Sequence, residues 1–265
     1  MKKFAVGLIS LLFVLSLVGC NTEKKEDDVV TDVAFTDQLL QEGTLIVGTS
    51  PDYPPYESLN TNGEIEGFDI DMISEVVAII NEKYGTDIKI EFQHMDFDTI
   101  IGALQAKAVD VGLSAFTYSP DRDVIFSTPY LKSKQVVVVN AGSDIVTLED
   151  LEGKVLAAGL GTTGEAAAKE IPNASVTNLG GDYQMMFVAL EEGQIDAVVC
   201  DEAVADNYVR EKGFVKLEDI LVDEENSIII ENANTILAQV ISDAIAEFVG
   251  SDKYQELKEK WNLAD

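Results

Sequence analysis

The chain contains an internal echo, and that echo limits what it can become. ALQAKAVDVGLS (103–114) aligns without gaps on ALEEGQIDAVVC (189–200). Each copy puts Ala-Leu at a helix end, an acid (Asp110, Asp196) before an apolar strand, and a loop after the strand's carboxyl end. A helix feeding a buried strand twice over calls for two α/β units of like architecture. The surrounding pattern agrees. Strand-like runs TLIVGT (44–49), IKIEF (88–92) and VDVGL (109–113) alternate with helical stretches over 69–83 and 97–107. A second series, KQVVVV (134–139), KVLAA (154–158), ASVTNL (174–179) and IDAVVC (195–200), alternates with helices over 164–170, 182–192 and 201–211. Such alternation implies parallel sheets covered by helices on both faces. After Ser227 the run SIII precedes amphipathic helices over 234–249 and 252–261 that have no strands of their own. They are expected to return to the first unit. The chain then crosses between units twice, and two crossings make a hinge.

The first twenty residues do not belong to this fold. MKKFAVGLISLLFVLSLVGC puts Lys2 and Lys3 before an apolar stretch too short and too N-terminal for an ordinary membrane span. It closes on Leu17-Val18-Gly19-Cys20, which resembles the lipobox of bacterial lipoproteins, with cleavage before Cys20 and acylation of its thiol. An ordinary secretory signal with a chance cysteine is the alternative, and either one sends the mature protein out of the cytoplasm. Residues 1–19 are thus expected to be a signal peptide, and 20–34, charged and without apolar period, a flexible tether. The chain carries 48 acidic against 18 basic side chains, a formal charge of −30. That balance repels phosphate and argues against nucleic acid as a partner. With Cys20 lipidated, Cys200 has no partner, so the fold must hold by burial alone.

Enzyme chemistry finds few candidate groups. His94 is the only histidine, there is no G-x-S-x-G or H-E-x-x-H, and neither a metal nor a cofactor is expected. The loop GLGTTGEAAAKE (159–170) holds Gly159, Gly161 and Gly164 in dinucleotide-loop spacing, with an acid, Asp182, further on. Outside the cytoplasm no free nicotinamide pool is expected. The same helix start can meet a smaller anion. Only two basic residues are arginines, and Arg210 lies in the helical YVREKG as a solvated residue. Arg122 sits in AFTYSPDRD (115–123), beyond the strand VDVGL, with Thr117 and Ser119. Its planar fork matches a carboxylate, or it pairs with Asp121 or Asp123. Asp201 stands at the carboxyl end of IDAVVC, just after Cys200, and by the echo takes the place of Ala115. It can hold an ammonium, cap the following helix, or do both. Tyr53, in the proline-restricted TSPDYPPYES, and Phe97, in HMDFDTI, complete the set, while Tyr56 and Phe68 are expected in the core. An arginine fork, an opposed carboxylate, aromatic walls and a helix start together suit an α-amino acid zwitterion.

At these residues the chain resembles the polar amino acid family of periplasmic-type solute-binding proteins, family 3, the receptors of ABC importers. The matching motifs are VGTSPDYPPYES, GEIEGFDIDM, MDFDTIIGALQAKAVDVGLS, TYSPDRD, FSTPY, LEDLEGKVLAAGLGTTGE, ALEEGQIDAVVCDEAVA and YQELKEKW. The resemblance implies a two-lobed, hinge-closing α/β fold of the periplasmic-binding-protein type II class. Lobe 1 would comprise 35–133 plus 227–265, and lobe 2 would comprise 134–226. It further implies that Arg122 clamps the ligand's α-carboxylate with the N–H groups of Thr117 and Thr163. Asp201, the Thr117 hydroxyl and the Ala115 carbonyl would take the α-ammonium, and Tyr53 and Phe97 would sandwich the side chain. Ser114 and Thr162 would line the pocket. The expected partners are a polar amino acid, an ABC transporter permease and, through Cys20, the membrane, with the protein a monomer on the extracytoplasmic face. Ser50 stands where many relatives carry an acid, and Gly159 replaces a larger residue, so the identity of the amino acid stays open; Asp52 or Glu57 are substitutes for the missing acid. Two rival readings are a periplasmic dehydratase of the cyclohexadienyl type on the same fold, and a sensor lobe without transport.

Overall fold

The computed structural model describes residues 43–263. The leader, Cys20 and the expected tether lie outside the described residues. After β1 (Thr44–Thr49) comes a small antiparallel sheet of β2 (Asp52–Tyr53), β3 (Glu57–Leu59) and β4 (Ile65–Glu66), then α1 (Phe68–Tyr84). The unit continues with β5 (Lys89–His94), α2 (Phe97–Gln105), β6 (Val111–Thr117) and a short β7 (Ile125–Phe126). The long β8 (Leu131–Val139) leads to β9 (Val155–Ala157), α3 (Thr163–Lys169), β10 (Ser175–Thr177), α4 (Tyr183–Glu191), β11 (Ala197–Asp201) and α5 (Glu202–Lys212). β12 (Val215–Ile230) returns, and α6 (Thr235–Val249) and α7 (Asp252–Lys260) follow.

Two parallel cores form as the alternation requires: β1 lies between β5 and β6, and β9 between β10 and β11. They are not separate sheets, however. β8 and β12 run antiparallel to each other and join both cores into one nine-stranded sheet, ordered β10-β9-β11-β8-β12-β6-β1-β5, with β7 beside β12. The order is palindromic, since β6 borders β12 as β11 borders β8, both antiparallel.

The echoed segments coincide in detail. Asp110 accepts a bond from Ile46 N–H at 2.8 Å and its own N–H returns one to Ile46 O at 2.8 Å. Asp196 does the same with Val155, at 2.7 and 2.8 Å. The acid before each strand therefore closes a two-bond ring onto the neighbouring strand, where a charged acceptor is worth about 1.5–3 kcal/mol.

β12 begins twelve residues before the SIII run. Its acidic stretch VDEEN reads as solvated loop, yet the register sets Asp223 opposite Lys134 and Glu225 opposite Lys132 of β8. Opposite charges across a strand pair stabilise it. Both expected lobe boundaries, 133/134 and 226/227, fall within these paired strands. The C-terminal helices do return: α6 packs on α1, and Lys260 Nζ and Trp261 Nε1 both donate to Asp71 Oδ2, at 2.7 and 2.6 Å. α1 buries Phe68, Met72, Ile73, Val76 and Ile80 on one face at helical spacing. Just before it, Gly67 passes so close to Tyr56 that a Cβ would lie 2.0 Å from the Tyr56 carbonyl oxygen, so no other residue fits. Tyr56 and Phe68 are core residues, as expected.

Candidate functional site

The cleft opens at the carboxyl ends of β1 and β6 on one side and of β9 and β11 on the other, which is where open α/β sheets bind ligands. Its volume is about 130 Å³, room for a small solute rather than a macromolecule. All nine residues expected at the site line it: Tyr53, Phe97, Ser114, Ala115, Thr117, Arg122, Thr162, Thr163 and Asp201. His94, at the end of β5, lines it too.

Arg122 makes no ion pair with Asp121 or Asp123 among the described residues; Asp123 instead accepts from Asn232 at 2.7 Å. The guanidinium lies 5.2 Å from the Phe116 ring centre and 5.5 Å from that of Phe97, which are themselves stacked at 4.5 Å. Nη1 donates to the Thr117 carbonyl, and Nη2 to the Gly161 carbonyl across the cleft at 3.0 Å. Cation–π stacking and two carbonyls hold the fork rigid without neutralising it. Burial lowers its proton affinity, and the charge of Glu224 partly restores it.

Asp201 is the last residue of β11 and 4% exposed. Its side chain makes no capping bond to α5. One oxygen accepts from Ser133 Oγ, the other from Tyr53 Oη at 2.7 Å and Gln135 Nε2 at 3.0 Å. Burial, and then the charge of Glu224, push its carboxyl up to about 6. It remains mostly ionised at neutral pH, a buried anion surrounded by neutral donors.

Tyr53 is fixed at both ends of its ring. The ring packs against Tyr183 at 4.5 Å and Tyr56 at 5.8 Å, and the hydroxyl also accepts from Asp201 N at 2.7 Å. Asp52 receives Tyr183 N–H at 3.2 Å, a second tie between the two sides of the cleft. The Thr117 hydroxyl goes to Glu224 at 3.0 Å, and the Ala115 carbonyl accepts from Asn226 Nδ2 at 2.9 Å. Ala115 has φ 46°, unusual for a residue with a Cβ, and Asp69 holds its N–H at 3.1 Å. Behind it Glu57 accepts from Ser114 Oγ at 2.6 Å, and Asp69 from Tyr130 Oη at 2.8 Å. Glu57 and Asp69 are fully buried neighbours, and Glu57 Oε2 and Asp69 Oδ1 have no hydrogen-bond partner among the described residues, so burial favours the protonated form of each. Burial and then its neighbour's charge raise Glu57 well above the usual range; burial raises Asp69 to about 7.

The glycines of GLGTTGEAAAKE have local reasons. A Cβ on Gly159 would lie 2.9 Å from the Tyr183 ring, and one on Gly164 would lie 2.5 Å from Gln135 Oε1. Gly161, at φ 75°, turns its carbonyl to Arg122. Thr162 caps α3 by accepting from Glu165 N at 3.0 Å, and Asp182 caps α4 by accepting from Gln184 N at 2.7 Å. Nothing in this geometry asks for a ribose. Among the described residues no group of three or more His, Cys, Asp or Glu is arranged to hold a metal ion.

Gln135 and Tyr183, which line the cleft, and Glu224, which bonds to Gln135 from behind it, were not expected there. Gln135 had a signal, being the one polar residue within the buried run QVVVV of β8. Glu224 had none, since an acid among acids reads as surface.

The chain is similar to known proteins along its described length. A probable histidine-binding protein of Campylobacter jejuni is 33% identical over 214 residues, covering 80% of this chain and 78% of that protein. The ABC transporter glutamine-binding protein GlnH of Bacillus subtilis is 30% identical, covering 100% of this chain and 99% of its own. A crystal structure of the substrate-binding protein of an amino acid ABC transporter superposes with a TM-score of 0.74 at 37% identity, covering 82% of this chain and 98% of that one. The family model of bacterial extracellular solute-binding proteins, family 3, matches residues 45–264. Because that match takes in both parallel cores, the two strands joining them and every residue lining the cleft, the chain belongs to the bacterial extracellular solute-binding proteins, family 3.

Proposed function

We propose that this protein captures a polar α-amino acid between its two lobes and presents the closed form to an ABC importer. The observation that carries the reading is the placement of a rigid arginine fork and a buried carboxylate in one cleft small enough for a single solute. Arg122 takes the α-carboxylate with the N–H groups of Thr117 and Thr163; Asp201 takes the α-ammonium, and Tyr53 and Phe97 flank the side chain. Ser114, Ala115 and Thr162 line the remaining wall. Closure follows because Arg122 belongs to one lobe (35–133 plus 227–265), while Asp201 and Thr163 belong to the other (134–226). A ligand that touches both favours the closed form by the contacts it makes only there. Acylated Cys20 tethers the receptor to the extracytoplasmic face of the membrane as a monomer. The names of the relatives, a probable histidine-binding protein, a glutamine-binding protein and the substrate-binding protein of an amino acid ABC transporter, support the ligand class.

A thermal-shift screen of the soluble part against the twenty amino acids, cystine and ornithine tests the reading. A ligand at 100 times its dissociation constant stabilises by about 2.7 kcal/mol, or roughly 5–10 °C for a protein of this size. No shift with any of them sinks the proposal. Turnover of a prephenate-like substrate, followed by ultraviolet absorbance, would favour a dehydratase instead. Unchanged radiolabelled amino acid uptake after deletion of the gene would favour a sensor.

A further inference from the structure

We infer that Glu224, on β12 and one layer behind the cleft lining, is a positioning residue for Asp201 that makes ligand capture depend on pH. The inference rests on the reading of Asp201 as the ammonium acceptor. Glu224 is 7% exposed and faces a groove behind the β8–β12 ribbon, not the cleft. Its Oε2 accepts from Thr117 Oγ1 at 3.0 Å and from Gln135 Nε2 at 3.1 Å. The same Gln135 nitrogen donates to Asp201 Oδ2 at 3.0 Å. Two buried carboxylates therefore share one neutral amide, no farther apart than those two bonds laid end to end. An amide satisfies their lone pairs but cancels neither charge. Two further acceptors, Glu224 Oε1 and Gln135 Oε1, are buried there without a partner. The site holds more negative charge and more acceptors than its donors balance. A ligand ammonium relieves the excess; without one, a proton on Asp201 does.

The other groups that face Asp201 do not supply this effect. Tyr53, Tyr56, Tyr183 and Cys200 are held in their neutral forms by burial. Asp69, on α1, is tied to Glu57, Tyr130 and the Ala115 N–H. Glu202, next in sequence, is paired with Lys134 at 3.3 Å and Lys216 at 2.9 Å. Arg122 feels Glu224 and draws part of its field. Glu224 is the charge that most favours the protonated form of Asp201, after burial itself. Because Glu224 lies on the strand that crosses between the two parallel cores, its placement also ties Asp201 and Thr117 to the hinge.

Carboxyl ¹³C NMR of the ligand-free protein follows Asp201 directly. The wild type is expected to titrate near 6, and Glu224→Gln lower by on the order of one unit. Glu224→Asp keeps the charge and is expected to keep the wild-type midpoint. Calorimetry with L-glutamine and L-arginine between pH 5 and 8 supplies the functional reading. Wild-type affinity falls as pH drops below about 6, approaching tenfold per unit, and the fall moves to lower pH in Glu224→Gln. An unchanged Asp201 midpoint in Glu224→Gln, or the same loss of affinity at every pH, overturns the inference. If neither these two nor any amino acid of the thermal screen binds at any pH, it is the proposed function that falls, and the NMR titration still judges Glu224.

Discussion

Replacing Arg122 by alanine tests the proposed binding mode most directly. The guanidinium has five N–H donors, of which one goes to the Thr117 carbonyl and one to the Gly161 carbonyl. The donors left over are enough for a bidentate grip on a carboxylate. Each charge-assisted bond contributes about 1.5–3 kcal/mol, so two contribute roughly 3–6 kcal/mol, a loss of about 10²–10⁴ in affinity. Lysine restores charge without the planar fork and is expected to recover only part of that loss. The assay is isothermal calorimetry at neutral pH with the amino acid giving the largest shift in the thermal screen. Circular dichroism confirms the fold, and Arg210→Ala, on the exposed face of α5, serves as control. A loss below tenfold in Arg122→Ala, with the fold intact, refutes the carboxylate clamp.

Two further perturbations probe the scaffold. Asp110→Ala and Asp196→Ala each remove a charged acceptor from a backbone N–H, at 2.8 and 2.7 Å, and each is expected to cost about 1.5–3 kcal/mol in urea unfolding. Being far apart in the sheet they should add, and a marked inequality between them would deny that the echoed segments are structurally equivalent. The Glu57–Asp69 pair predicts a pH slope. Asp69 lies near 7 folded against an ordinary 3.8, so its contribution is full below about pH 4 and is lost as pH rises through 7. Stability is therefore expected to fall between about pH 4 and 7 by up to about 1.4 kcal/mol per unit for Asp69, and Glu57→Gln, which removes the second raised carboxyl, to flatten the overall fall. Equal slopes of melting temperature against pH in both proteins would contradict a raised Glu57 carboxyl.

Most of the architecture was legible because it rests on local periodicity. β1 and the helices appear within a residue or two of where the apolar pattern puts them, and the echo at 103–114 and 189–200 reflects equivalent strands. The first twelve residues of β12 were not legible, since two of their acids, Asp223 and Glu225, lie opposite lysines some ninety residues earlier, and only the register reveals the pairing. Strand β6 also runs on through Thr117, past the VDVGL expected to end it, because Asn226 and Ser227 of β12 pair with Thr117 and Phe116. The cleft divides in the same way. Residues beyond strand ends, such as Arg122, Asp201 and Tyr53, carry a positional signal. Gln135 enters from within the crossing strands and Glu224 supports it from behind, and there position in the sequence does not separate a site residue from a solvated one.

The C-terminal helices have a consequence for biogenesis. α1 is complete by Tyr84, yet α6 and α7, which cover it, and Trp261, which bonds to Asp71, come last. β9, β10 and β11 with their helices are consecutive in sequence and close only short loops. A chain threaded out of the cell amino end first thus completes its second core while α1, packed on the strands of its own unit, still lacks its helical cover. The slow, aggregation-prone interval of manufacture ends only when the final thirty or so residues emerge, so a chain clipped there keeps its second core but leaves Met72, Ile73 and Val76 without their cover.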